Sequence, residues 1–313
     1  MSSDVLTLDG VWKRYGDHDA LRDVHFAIRS GESVGYLGPN GAGKTTTLKL
    51  LAGIARPTRG SVRVEGLDPY RGRSGAGRHI GALVETPGIP PFITGSDLLT
   101  YVARVKGHLS GDARDAALRA ANAMKVAEYL DRPFGTLSTG LARRMMVGAA
   151  LVGDPEILLL DEPTLGLDPA ARQDLRGLLR ALSQKGLTIL LSTHLLEEVQ
   201  EVCSRVLFLR DGALVGDEPV NSDASPGVGQ RVLLLRFATD VPSESLTRAL
   251  GTGFELTRDA AREFRVRFSG GEAEQGAVLA AVIRAGLPLV SATPPEPDLA
   301  RRYIERVGRE DTQ

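Results

Sequence analysis

The 313 residues are enough for about two domains with well-buried cores, and their apolar (42%) and charged (25%) fractions are those of an ordinary soluble globular protein. A formal net charge of −1 gives no electrostatic case for nucleic acid or anionic lipid as the main partner, and a single cysteine, Cys203, excludes an internal disulfide and suits a reducing cytoplasm. No run approaches the ~20 apolar residues of a membrane span, and Met1-Ser2-Ser3-Asp4 lacks the basic and apolar regions of a signal peptide.

Short β-branched runs alternate with helical periodicity up to about residue 220, the pattern of an α/β domain with a central sheet. Val5–Leu8 is the first predicted strand. Ser33–Leu37 reads as a buried strand, Thr46–Ala52 as a helix, and between them stands Gly38-Pro39-Asn40-Gly41-Ala42-Gly43-Lys44-Thr45. That spacing is the phosphate-cradling P-loop in the strand–loop–helix context it requires. Its glycines let backbone N–H groups turn inward on phosphates, and the helix N-terminus adds its positive dipole end. Lys44 is placed to reach the β- and γ-phosphates of a nucleotide, and the Thr45 hydroxyl to sit on Mg²⁺. Val62–Val64 and Ile80–Val84 are the next predicted strands.

From Gly95 to Ala150 the strand signal disappears, and Asp97–Lys106, Asp112–Ala127 and Ala142–Val152 read as a helical subdomain inserted in the sheet. Ile157–Leu160 is a buried strand that ends in Asp161 and Glu162. Buried carboxylates are costly unless something requires them. In a P-loop protein Asp161 would hold Mg²⁺, directly or through water, and Glu162 would polarise the attacking water as general base. Thr188–Ser192 and Val206–Arg210 complete the strands of this region.

Asn221–Gly227 is the clearest linker. After it the predicted order is strand Arg231–Ala238, helix Ser243–Leu250, strands Phe254–Arg258 and Glu263–Phe268, helix Glu272–Ala285 and strand Leu287–Ala292. This is the βαββαβ pattern of a small α+β domain, followed by an amphipathic helix over Pro297–Val307. The expected division is therefore 1–220, a linker at 221–229, and an accessory or regulatory domain at 230–313.

Leu137-Ser138-Thr139-Gly140-Leu141, shortly before the strand ending in Asp161-Glu162, resembles the signature loop of the ATP-binding subunits of ABC (ATP-binding cassette) transporters. The resemblance covers roughly residues 5–217. It implies a P-loop ABC ATPase fold with an inserted helical subdomain, and a homodimer in which Ser138 and Gly140 of one subunit meet the γ-phosphate held by the other. Thr164–Asp168 matches the loop that crosses that dimer, His194 in Ser192-Thr193-His194 matches the switch histidine, and Tyr15 matches the aromatic that stacks on adenine. The resemblance thus implies ATP and Mg²⁺ as ligands. Catalysis falls to Glu162, His194 and Lys44. Nucleotide binding falls to Tyr15, Gly38, Pro39, Asn40, Gly41, Ala42, Gly43, Lys44, Thr45, Thr46, Ser138 and Gly140.

Three positions depart from the family pattern. The Q-loop glutamine falls at Glu85, whose carboxylate can still join Thr45 and Asp161 as a metal ligand but adds negative charge beside the phosphates. Thr139 replaces the first signature glycine, and Leu165 stands where a small or polar residue is common. Glu85 and the βαββαβ domain resemble the exporter branch that includes bacitracin, lantibiotic and daunorubicin resistance ATPases. The implied protein powers export of a drug, antibiotic or peptide-like compound from the cytoplasmic face of the membrane, through separate integral-membrane permease subunits that dock on Pro87–Ser96. The alternative is a soluble ABC-type ATPase acting on ribosome or DNA. The single cassette without a basic run argues against the ribosome, and the short stretch between Lys44 and Ser138, with no room for a long heptad insertion, argues against DNA.

Overall fold

A computed structural model describes residues 4–71, 75–85, 88–220, 230–251, 253–293 and 298–308, so the linker expected at 221–229 and the Thr86-Pro87 pair after Glu85 lie outside the described residues. The chain opens with the antiparallel strands β1 (Asp4–Tyr15) and β2 (His18–Arg29), then β3 (Ser33–Leu37), helix α1 (Lys44–Leu51), β4 (Arg59–Val64), the short α2 (Ala76–His79) and β5 (Ile80–Leu83). Helices α3 (Gly95–Val105), α4 (Ser110–Ala123) and α5 (Thr139–Leu151) form the helical stretch. Then β6 (Ile157–Asp161), α6 (Pro169–Gln184), β7 (Thr188–Thr193), α7 (Leu196–Val202), β8 (Arg205–Arg210) and β9 (Ala213–Pro219) follow.

These strands make two sheets. One is the antiparallel β2-β1-β4. The other runs β5-β6-β7-β3-β8-β9, parallel throughout except for β9. Its central strands are buried along Ser33–Leu37, Ile157–Leu160 and Thr188–Thr193 because both faces are covered, with the apolar runs Ile157–Leu160 and Ile189–Leu191 inside them. One core joins the two sheets through α1. Leu8, Val24 and Phe26 from the antiparallel sheet, Leu48 and Leu51 from α1, and Tyr36, Leu159 and Leu190 from the parallel sheet belong to the same buried cluster.

Parallel pairing in register has a direct consequence. Leu37 lies opposite Thr193, and Asp161 opposite Ser192, so the carboxyl ends of β3, β6 and β7 finish side by side. The crevice outside such strand ends is where open α/β sheets bind ligands. Helix α7 lies against β3 at Gly35, where a Cβ would come within 2.7 Å of Val199 Cγ1. Cys203 caps the C-terminus of α7 and is buried.

The second unit comprises residues 221–302. Strands β10 (Gln230–Phe237), β11 (Glu255–Ala260), β12 (Glu263–Ser269) and β13 (Leu289–Thr293) form an antiparallel sheet ordered β11-β12-β10-β13, with α8 (Ser243–Leu250) between β10 and β11 and α9 (Glu272–Arg284) between β12 and β13 in sequence. Its core is its own, built from residues such as Leu235, Phe237, Leu246, Phe264, Val266 and Val282. The domain boundary expected at the end of the chain shifts. Helix α10 (Asp298–Val307) buries Leu299, Tyr303 and Val307, and from Tyr303 onward the chain groups with residues 1–220. The reason is packing: the Tyr303 ring lies 6.3 Å from the ring of Phe208 in β8.

Gly35→Val would drive its branched side chain into Val199, and overpacking of this kind costs about 1–3 kcal/mol. Chemical denaturation followed by circular dichroism is expected to show that loss, with the compensating Val199→Ala restoring part of it.

Candidate functional site

Between β3 and α1 the chain makes a loop whose glycines are required one by one. Gly41 and Gly43 have φ of +81° and +108°, in the left-handed region that side chains disfavour. At Gly38 a Cβ would sit 2.3 Å from the carbonyl oxygen of Leu209, so this part of the loop lies against the end of β8. The Ala42 N–H donates to Pro39 O at 3.2 Å, and Ala42 O accepts from the Gly212 N–H at 3.0 Å, which anchors the loop to the β8–β9 turn. Gly43 is the N-cap of α1 and no side chain caps the helix, so its first N–H groups are offered to an anion. The fully buried Tyr36 holds this helix from below, its hydroxyl 3.1 Å from that of Thr47.

Lys44, 6% exposed, donates from Nζ to Gly38 O at 2.6 Å and to Pro39 O at 3.1 Å, and lies 3.5 Å from Glu162 Oε1. That Glu162 oxygen is buried with no hydrogen-bond partner. A buried ammonium turned back on carbonyls, beside an orphaned carboxylate oxygen, marks a place built for a ligand that carries negative charge and a polar reactant.

Asp161 ends β6 and accepts two bonds, from Thr45 Oγ1 at 2.7 Å and from Ser192 Oγ at 2.7 Å. Glu162 follows with φ +45°, an uncommon conformation for a side-chain-bearing residue, held by its N–H donating to Ser192 O at 2.9 Å. The turn brings Glu162 Oε2 to 2.9 Å from Nδ1 of His194. Lys44, Thr45, Asp161, Glu162 and His194, distant in sequence, are thereby joined in one hydrogen-bonded and ionic cluster.

The cavity over the loop has a volume of about 320 Å³ and is lined by Tyr15, His18, Pro39, Asn40, Gly41, Gly43, Lys44, Thr45, Thr46 and Glu162. Tyr15 is half exposed, and Lys13 Nζ lies 4.6 Å from its ring centroid while donating to Arg56 O, which occupies one face of the ring.

Two sets of expected residues stand elsewhere. Ser138 caps α5, accepting from the Leu141 N–H at 3.3 Å, and Gly140 packs so tightly that a Cβ would lie 2.9 Å from Ala171 Cβ. Neither lines the cavity. Glu85 has φ +68° and its Oε1 accepts from Lys49 Nζ at 2.6 Å. The Lys49 ammonium, whose pKa is raised mainly by this bond and also by the charge of Asp161, holds the Glu85 carboxylate. Three participants escape a reading of the sequence. Ser192 stands out there only as part of the Ser-Thr-His strand end, His18 sits in a strand with no recognisable pattern, and Lys49 looks like any exposed helical lysine.

Residues 21–165 match the ABC transporter family. The chain is 38% identical over 218 residues to the Nod factor export ATP-binding protein I of Burkholderia orbicola, covering 69% of this chain and 71% of that one. It is 34% identical over 220 residues to an uncharacterized ABC transporter ATP-binding protein of Bacillus subtilis, covering 70% and 71%. Among solved structures it resembles a dimeric bacterial ABC transporter cassette, with 26% identity, TM-score 0.63 and coverage of 69% of this chain and 99% of that one. A dimeric post-hydrolysis cassette bound to ADP and Pi matches equally broadly, with 26% identity and TM-score 0.62. These relatives favour the transport reading over the ribosome- or DNA-directed alternative.

Proposed function

This chain belongs to the ATP-binding subunits of ABC transporters, and from that membership we propose that it powers export of a drug-, antibiotic- or peptide-like compound through separate integral-membrane permease subunits. As a member of that family it binds and hydrolyses ATP. The export reading draws on the relatives named for Nod factor export. No described helix is long and apolar enough to cross a membrane; in this reading separate permease subunits supply the path for cargo, and the chain works at the cytoplasmic face. Exposed Phe92, beside Ile93 in the expected docking segment, offers that partner an apolar contact.

The observation that supports the site assignment best is the buried Lys44 beside the unpartnered Glu162 oxygen. In this reading Lys44 exchanges its bonds to Gly38 and Pro39 for the β- and γ-phosphates, and the free N–H groups at the start of α1 bind the same oxygens. Tyr15, half exposed in the cavity lining, stacks on adenine. A hydroxyl and a carboxylate are hard oxygen donors, so Thr45 and Asp161 fit Mg²⁺, which supplies charge neutralisation on the phosphates. Glu162 takes the proton of the attacking water through Oε1, the atom with no competing bond. His194 holds Glu162 through Nδ1, which leaves Nε2 for the γ-phosphate.

Because Ser138 and Gly140 do not line the cavity of their own subunit, they would complete the site of a second copy, forming a nucleotide sandwich. Closure of that sandwich moves the permease, and hydrolysis reopens it.

Glu162→Gln is expected to abolish turnover while ATP binding persists, and to shift the chain to a dimer in size-exclusion chromatography with ATP; hydrolysis at the wild-type rate would overturn the base assignment. Lys44→Ala should weaken ATP binding at least tenfold by equilibrium dialysis, so an unchanged affinity would refute the phosphate assignment. Affinity purification of the tagged chain from detergent-solubilised membranes is expected to recover a multi-span protein that stimulates hydrolysis. Recovery of ribosomes or DNA instead would keep the chemistry and overturn the transport role.

A further inference from the structure

We infer that Glu198 is a positioning residue for hydrolysis: buried between the segment that follows Glu162 and the strand end that carries His194, it fixes the two relative to each other. The inference rests on the roles of Glu162 and His194 proposed above.

Glu198 lies in α7 and is 1% exposed, which is unusual for a glutamate next to the well-exposed Glu197. Its Oε1 accepts a hydrogen bond from the hydroxyl of Thr164, two residues past Glu162. The Thr193 hydroxyl, directly before His194, is close enough to stabilise charge on the same carboxyl. Oε2 stays buried without a hydrogen-bond partner. A carboxyl placed there costs stability unless it serves an arrangement that an apolar residue could not.

The surroundings explain what it serves. Glu162 occupies a left-handed backbone conformation, so the segment after it needs an outside hold to keep its course. Thr164 is buried in that segment, and its hydroxyl is taken by Glu198. Helix α7 cannot drift, since Val199, the next residue, is seated on Gly35 of the strand that leads into the P-loop. The contact thus runs from the phosphate-binding strand through α7 to both halves of the Glu162–His194 pair. Burial is the chief force on the carboxyl and raises its pKa; the neighbouring Glu162 pushes the same way, and the hydroxyls and Arg176 oppose it. A glutamine at this position keeps the carbonyl oxygen that accepts from the Thr164 hydroxyl.

Three variants of the full chain, assayed alone and with its co-purified membrane partner, test this. Glu198→Ala is expected to lower kcat about tenfold or more while ATP affinity stays within about twofold, because displacement of a catalytic group by a fraction of an ångström slows chemistry without touching the phosphate loop. Glu198→Gln should retain activity within about threefold. Thr164→Val, a milder change for the fold, should reproduce part of the loss, and combined with Glu198→Ala it should add nothing further. Unchanged kcat in Glu198→Ala, a parallel loss of ATP affinity, or multiplying effects of the two substitutions would each overturn the inference. If Glu162→Gln itself leaves turnover intact, the underlying reading fails instead, so the two failures are separable. Thermal melts of all three variants exclude loss by unfolding.

Discussion

Asp161 takes a hydroxyl from the start of α1 and another from the end of β7, and through these two bonds it holds three separate elements in one site. Both bonds exist only because β3, β6 and β7 are parallel and in a register that ends them together. A one-residue slip would reverse every side chain and send Asp161 to the opposite face of the sheet. Strands buried on both faces carry little side-chain alternation to fix their register, so the bonds of Asp161 to Thr45 and Ser192 help to fix it.

Legibility in the sequence follows the range of the interactions. The P-loop is a local object: glycines, lysine and threonine are adjacent, and strand–loop–helix context can be read around them. The acids after Ile157–Leu160 are legible because two charges at the end of an apolar run would be costly to bury without a use for them. Strand β2 is not, because six charged or histidine residues dilute its pattern and Asp23, with φ +52°, shifts the apolar phase between Leu21 and Val24. Edge strand β9 is mostly half-exposed and shows little alternation. Glu198 is hidden by a different cause. Glu197 and Glu198 look alike in sequence, and only the packing of α7 on β3 makes one a surface charge and the other a buried bond.

The departures from the family pattern acquire physical content. The extra negative charge at Glu85 is answered within the same subunit by Lys49, so the phosphates need not face it unscreened. Thr139, the first residue of α5, is exposed. Leu165 is 58% exposed, yet its carbonyl accepts from Arg143 of α5 at 3.2 Å. That bond ties the signature helix to the loop after Glu162. A movement of α5 thus has a hydrogen-bonded route to the segment that Glu198 holds from the other side.

The return of the chain at Tyr303 changes what counts as the first domain. Residues 1–220 look self-sufficient, but the ring that covers Phe208 comes from beyond the second unit. Residues 221–302 form a compact unit flanked in sequence on both sides by residues of the first unit. A fragment cut at Val220 would therefore lose the Tyr303 ring that packs beside Phe208.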